Sequence, residues 1–133
     1  AGKAVEMLFK RIGSPAFPMD FARLRAIGEL AYERGPSPHG FLRHFAAALA
    51  SGNRRDKLRT VTVPTLVIHG SRDPMFPVAA GRDLARMVPD ATWLPIAGMG
   101  HDLPPGLWPV LVGAITRHAE RSESRARVSS SAP

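Results

Sequence analysis

Two short apolar runs, at residues 65–69 and 92–96, constrain the fold of this chain most strongly. The first is partly β-branched and is bounded by Pro64 and Gly70, a pattern typical of a short strand buried on both faces. Between the two runs, apolar residues recur at helical spacing: Ala80, Leu84, Met87 and Val88. Two buried strands joined by a helix predict a parallel pair, so the predicted fold class is α/β.

A candidate acid and a candidate base follow these two strands. Asp73 lies in a Gly-Ser-Arg-Asp-Pro turn after the first strand, and His101 follows Gly-Met-Gly after the second. Because the carboxyl ends of parallel strands meet at one edge of an open sheet, we expect both side chains there. A histidine can take and return a proton near neutral pH, and a carboxylate on its other ring nitrogen fixes its tautomer. Either turn alone is typical of an ordinary surface turn, but the pair predicts the acid and base of a catalytic site.

The two turns, with the helix and strand between them, resemble the C-terminal part of the α/β-hydrolase family. The resemblance is closest to the lipase and esterase branch that includes aclacinomycin-methylesterase-like enzymes. In that family the catalytic triad runs in the order serine, acid, histidine, which implies that Asp73 and His101 are its last two members. The serine requires a G-x-S-x-G turn between a strand and a helix, and no serine of this chain has that context.

The resemblance therefore implies a serine hydrolase acting on carboxylic esters, with the nucleophile, the oxyanion donors and further strands encoded upstream. The chain itself is then expected to be inactive. An alternative stays open, in which the chain is a non-catalytic remnant or a small-molecule-binding module of the same fold. A G-x-S-x-G motif in the upstream coding sequence would distinguish the two.

The apolar pattern of residues 1–52 predicts amphipathic helices and no strand. Pro15 and Pro18 separate the first helix from the second, for which Asp20 is the predicted N-cap. The resemblance implies that this segment is a helical cap over the active site. The candidate substrate-binding residues are then Phe17, Phe21, Phe41 and Phe45 of the cap and Met75, Phe76 and Met99 of the two turns. The alternative, in which the cap phenylalanines only pack the segment against the core, stays open.

The chain divides into three predicted regions. A helical cap segment spans 1–52, the C-terminal part of a hydrolase core spans 53–120, and a tail spans 121–133. The tail is polar and lacks an apolar period, so we expect it to be disordered. Two strands form a poor sheet, and their unpaired edge is expected to need upstream strands or a second copy of the chain. Self-association through this edge is therefore predicted.

Charge and composition limit the partners. The chain carries 18 basic and 11 acidic residues, and much of the excess lies in residues 54–59 and 121–127. Neither cluster interleaves aromatic residues and no nucleic-acid-binding motif is present, so a solvated basic surface is predicted rather than a nucleic-acid site. No run is long and apolar enough for a membrane span. A cytoplasmic location is predicted, with export left open because the N-terminus appears to be missing.

No cofactor or metal is predicted. The chain has no cysteine, which excludes disulfides and thiolate metal sites. His39 and His44 suggest a metal site by residue type alone, but their spacing of five places them on different faces of a helix. Both are predicted to be exposed histidines.

Overall fold

The computed structural model describes residues 1–35, 37 and 39–130. Four helices come first: α1 (Gly2–Ile12), α2 (Phe21–Glu33), α3 (Gly40–Ala50) and α4 (Arg55–Arg59). They are followed by strand β1 (Leu66–Gly70), helix α5 (Val78–Met87) and strand β2 (Thr92–Ile96). A 3₁₀ turn (Pro105–Leu107) leads into the last helix, α6 (Trp108–Ser130).

Strands β1 and β2 form a parallel two-stranded sheet, which confirms the predicted α/β class. Leu66 lies opposite Thr92 and Gly70 opposite Ile96, so β1 begins one residue later than the predicted run. Helix α5 packs against both strands, and Val67 and Ile96 are buried. Because paired parallel strands end at the same edge, the turns after Gly70 and Ile96 lie side by side.

The hydrophobic core lies beneath these turns. It is formed by Ile96, Met99, Leu107 and Leu111, which join the end of β2 to the start of α6. Ile68, Leu94 and Phe17 pack against this cluster. Buried apolar residues that precede and follow the turn between β2 and α6 therefore hold this turn in place.

The described residues of the N-terminal segment, up to Ala50, form helices and no strand. Helices α1 and α2 pack on each other, and the carboxylate of Glu6 on α1 joins them by accepting from Arg25 on α2 at 2.6 Å. The side chain of Asp20 accepts from the backbone N–H of Arg23 at 2.9 Å, which confirms the predicted N-cap. Helix α3 is different, because none of its residues is buried.

The structure differs from the sequence-based prediction in residues 121–130, which continue helix α6 instead of forming a disordered tail. The reason is local: arginine and glutamate favour helix, and the hydroxyls of two serines, Ser122 and Ser124, find acceptors within it. Ser122 donates to the carbonyl of His118 at 2.7 Å, and Ser124 to that of Glu120 at 2.9 Å. Residues 131–133 of the predicted tail lie outside the described residues.

Helix α6 has 23 residues, which is long for this chain. Length is not enough for a membrane span, since about 20 predominantly apolar residues are needed. In the described part of the chain, neither α6 nor any other helix meets both requirements.

Candidate active site

Asp73 and His101 meet at the carboxyl edge of the sheet, where each follows one strand. Nδ1 of His101 lies 2.7 Å from Oδ2 of Asp73. The carboxylate side chain is only 7% exposed, whereas that of the histidine is 37% exposed. Because an ionised carboxylate can only accept hydrogen bonds, Nδ1 carries the proton in this pair. The other ring nitrogen, Nε2, is therefore the one able to accept a further proton.

Two backbone N–H groups hold the Asp73 carboxylate. Its Oδ1 accepts from Met75 at 2.8 Å and from Phe76 at 3.0 Å. Burial alone would raise the pKa of Asp73, but the hydrogen bonds from His101, Phe76 and Met75 outweigh it and hold the pKa below its usual value. The carboxylate is thus ionised at neutral pH and can stabilise a positive charge on His101.

The turns that carry Asp73 and His101 are also joined by hydrogen bonds of their own. The backbone N–H of Ser71 donates to the carbonyl of Ile96, and that of Arg72 to the carbonyl of Met99, both at 2.9 Å. The hydroxyl of Ser71 accepts from the N–H of Gly98 at 2.9 Å. These three contacts fix the distance between the two turns without using either side chain of the Asp73–His101 pair.

The end of α1 contacts the histidine turn from the other side. The N–H of His101 donates to the carbonyl of Ile12 at 2.7 Å, and the N–H of Gly100 donates to the hydroxyl of Ser14 at 2.8 Å. The same hydroxyl donates to the carboxylate of Asp102. The sequence indicated only that Gly13-Ser-Pro ends a helix, so this contact was not predicted. Its single sequence signal is a serine at a helix end.

An open cavity of about 490 Å³ lies beside the pair. Its walls come from the strand end, from α5 and from both turns, and its apolar lining residues are Ile68, Phe76, Ala80, Leu84, Met99 and Leu103. The ring of Phe76 lies 5.5 Å from that of His101, centroid to centroid. A largely apolar cavity with a few convergent polar groups is the usual form of a small-molecule site.

A second cavity, of about 290 Å³, lies on the other side of the histidine turn. Residues of the N-terminal segment line it, including Phe9, Met19, Leu24 and Ile27. His101, Asp102 and Leu103 line both cavities. The candidate base therefore lies between two partly apolar spaces, one against the sheet and one against α1 and α2.

Two of the three predicted substrate-binding residues in the turns lie at the larger cavity. Phe76 and Met99 are part of its wall. The side chain of Met75 is exposed and is not among the described residues that line it, so this residue contributes its backbone N–H to Asp73.

The four predicted phenylalanines of the N-terminal segment are placed elsewhere. Phe17 packs on the core, and the ring of Phe21 lies 4.9 Å below the ammonium group of Lys10. Phe41 and Phe45 stack on each other at 6.2 Å between centroids, and Phe41 is 74% exposed. Among the described residues lining the two cavities, none of the four is found. Helical spacing identified an apolar face but not the neighbour that the face would meet.

The pair has no nucleophile beside it within the described residues, where no serine is hydrogen-bonded to His101. Two serines that bond to the histidine turn have other partners: Ser14 bonds with Gly100 and Asp102, and Ser71 with Gly98. Nor do the described residues contain a cluster of three or more histidine or acidic side chains that could hold a metal ion. The chemistry available here is proton transfer by His101, supported by Asp73.

Curated relatives of this chain include the following two proteins. Over 75 residues the chain is 36% identical to the rhodomycin D methylesterase DnrP of Streptomyces peucetius. The aligned region covers 56% of this chain and 25% of that protein. Over 58 residues it is 33% identical to the AB hydrolase superfamily protein YisY of Bacillus subtilis (strain 168), covering 44% and 22%. The matched part spans about a quarter of the length of these relatives. No protein-family model matches the chain. With the parallel strands and the acid and histidine at their ends, the two similarities support a relationship between this chain and the α/β hydrolases.

Proposed function

We propose that this chain supplies the acid and the base of a serine hydrolase that cleaves carboxylic esters. The nucleophile and the oxyanion donors are contributed by residues outside it. The observation that carries the proposal is the 2.7 Å contact between His101 and the buried carboxylate of Asp73, beside a partly apolar cavity. The similarity to a protein named as a methylesterase supports the choice of an ester as substrate.

In this proposal His101 moves one proton through each half of the reaction. Its Nε2 takes the proton of the serine hydroxyl as the oxygen attacks the ester carbonyl, and returns it to the leaving alcohol. Water then attacks the acyl-serine, giving its proton to His101, which passes it back to the serine oxygen as the acid leaves. Asp73 keeps Nδ1 protonated throughout and stabilises the imidazolium, for which its ionised state is suited.

The substrate assigned here is a small apolar ester. A space of about 490 Å³ is within the range of small-molecule sites, and Phe76 and Met99 offer it apolar contact. The segment of residues 1–52 acts in this proposal as a cap, since α1 and α2 form one wall of the second cavity at His101. That cavity, rather than the exposed phenylalanines of α3, is where the cap meets the substrate.

The 133-residue chain alone should hydrolyse an aryl ester no faster than buffer does. Its base lacks a hydroxyl partner among the described residues, and catalysis also requires preorganised donors for the oxyanion. A purified sample assayed with p-nitrophenyl acetate provides the measurement, with buffer alone as the control. Turnover above that control, abolished by a serine-directed phosphonate, would show that a nucleophile within the chain has been missed.

A second candidate function is a small-molecule-binding module that no longer catalyses. It is favoured by the engagement of Ser14 and Ser71 in hydrogen bonds away from His101. The coding sequence separates the two functions: a G-x-S-x-G motif upstream of this chain supports the hydrolase, and its absence supports the binding module.

We also infer that the isolated chain self-associates through its sheet. Within the described residues the sheet has two strands, so each of them has an outer edge without a strand partner. Such edges favour pairing with another chain, while the net charge of +7 opposes unlimited aggregation. Sedimentation velocity should therefore show dimers or larger species. A monodisperse monomer whose β1 and β2 amides resist exchange would contradict this inference.

A further inference from the structure

We propose that Ser14 is a positioning residue for His101. Its buried hydroxyl binds the carboxylate of Asp102, so that the imidazole of His101 pairs with Asp73 and not with Asp102. The proposal rests on the proposed function in that it takes His101 as the base. The contacts that support it join the turn of residues 100–102 to the end of α1, although the bonded residues lie 86 and 88 positions apart in the sequence.

The Ser14 hydroxyl is fully used by this turn. Ser14 is 3% exposed, and its Oγ accepts from the N–H of Gly100 at 2.8 Å while donating to Oδ1 of Asp102. A hydroxyl has one proton to donate, and here it goes to a carboxylate, the stronger kind of hydrogen bond. Removing the hydroxyl would leave a buried N–H and a carboxylate oxygen without this partner.

The backbone at the end of α1 reinforces the contact. The N–H of His101 donates to the carbonyl of Ile12, so residues 100, 101 and 102 each bond to this short stretch of chain. The approach is close enough that a Cβ added to Gly100 would lie 2.6 Å from the carbonyl oxygen of Ile12. The histidine turn is therefore clamped between the Asp73 turn on one side and α1 on the other.

Asp102 makes the contact important for chemistry. It is adjacent to His101 in sequence and is a second carboxylate that could compete for the imidazole. The hydroxyl of Ser14 engages Oδ1 of Asp102, while Oδ2 of Asp73 engages Nδ1 of His101. Each carboxylate thus has its own donor. Ser14 keeps the two acids apart and leaves the imidazole with Asp73.

The test measures hydrogen exchange of the His101 Nδ1 proton in the 133-residue chain by ¹H–¹⁵N NMR. Ser14→Ala should accelerate this exchange and that of the Gly100 amide about tenfold, as expected for the loss of a charge-assisted hydrogen bond. The matched control is Ser51→Ala, which removes an exposed serine hydroxyl that follows α3 and donates to the carbonyl of Ala47, and it should change neither rate. The amides of β1 and β2 report separately on global stability.

A second pair of variants covers the case in which Ser14→Ala does not fold. Asp102→Asn retains an acceptor for Ser14 and should leave His101 exchange within about twofold of the unmodified chain, whereas Asp102→Ala should accelerate it. In the longer hydrolase, Ser14→Ala should lower kcat about tenfold with KM unchanged, because the base and not the substrate contact is disturbed.

Three results would overturn the proposal. The first is unchanged His101 exchange in both Ser14→Ala and Asp102→Ala. The second is equal acceleration at His101 and throughout β1 and β2, which would indicate a purely structural serine. The third is the absence of a protected Nδ1 proton in the unmodified chain. Failure of the proposed hydrolase activity would leave all three exchange measurements interpretable, so the two hypotheses fail separately.

Discussion

Replacing His101 by alanine in the proposed longer hydrolase is expected to lower kcat on a simple aryl ester by about 10³-fold or more, the scale on which a triad member acts. The reason is the placement of this imidazole, which is bonded to the buried Asp73 carboxylate and lines the larger cavity, where the proposed reaction needs a proton to move. Initial rates measured at saturating substrate separate kcat from KM. Activity within a few-fold of the unmodified enzyme would contradict the assignment.

Two further variants sharpen this test. His44→Ala removes an exposed histidine from α3 and should leave kcat unchanged. Asp73→Asn keeps Oδ1 to accept from Met75 and Phe76, but its amide nitrogen can replace Oδ2 and donate to His101. Nδ1 of His101 then becomes the acceptor and the proton moves to Nε2, the wrong tautomer for a base. A loss of about 10³- to 10⁴-fold is expected from this nearly isosteric change.

The sheet and the contact between Asp73 and His101 could be predicted because they depend on local patterns. A buried strand has a recognisable apolar run, and parallel pairing places whatever follows each strand at one edge. Asp73 and His101 directly follow such strands, so their proximity required no knowledge of other contacts. The N-cap at Asp20 was predictable for the same reason, since the N–H that donates to its side chain belongs to Arg23, three residues later.

The contacts of the N-terminal segment could not be predicted, because they join distant parts of the chain. Ser14 and Asp102 lie 88 positions apart, and no local pattern marks them as partners. The phenylalanines of α3 follow a helical period, but the period does not state which surface, if any, covers them. The ordered end of α6 was missed for a different reason: polar helix formers with no apolar stripe are compatible with either helix or disorder.

Gly70→Ala is expected to destabilise the folded chain by about 3 kcal/mol, the upper end of the usual cost of overpacking. A Cβ at Gly70 would meet the carbonyl oxygens of Met99 and Gly100 and lie 2.8 Å from the carbonyl carbon of Met99. All of these are backbone atoms and cannot rotate away. The carbonyl of Met99 also accepts from Arg72, so relief of the clash must separate the turn of Asp73 from that of His101.

Urea unfolding at a fixed protein concentration measures this cost, and Gly113→Ala is the matched control. An added methyl at Gly113, within α6, lies 3.2 Å from a guanidinium nitrogen of Arg117, the flexible end of a side chain that can move. Alanine is also the better helix former, so the control should be stabilised by about 0.5–1 kcal/mol. The same chemical change then has opposite signs at the two sites, because one methyl meets rigid backbone and the other does not. A Gly70→Ala protein as stable as the unmodified chain would contradict this expectation. It would mean that the two turns are not held this closely, and that backbone contacts do not support the pairing of Asp73 with His101.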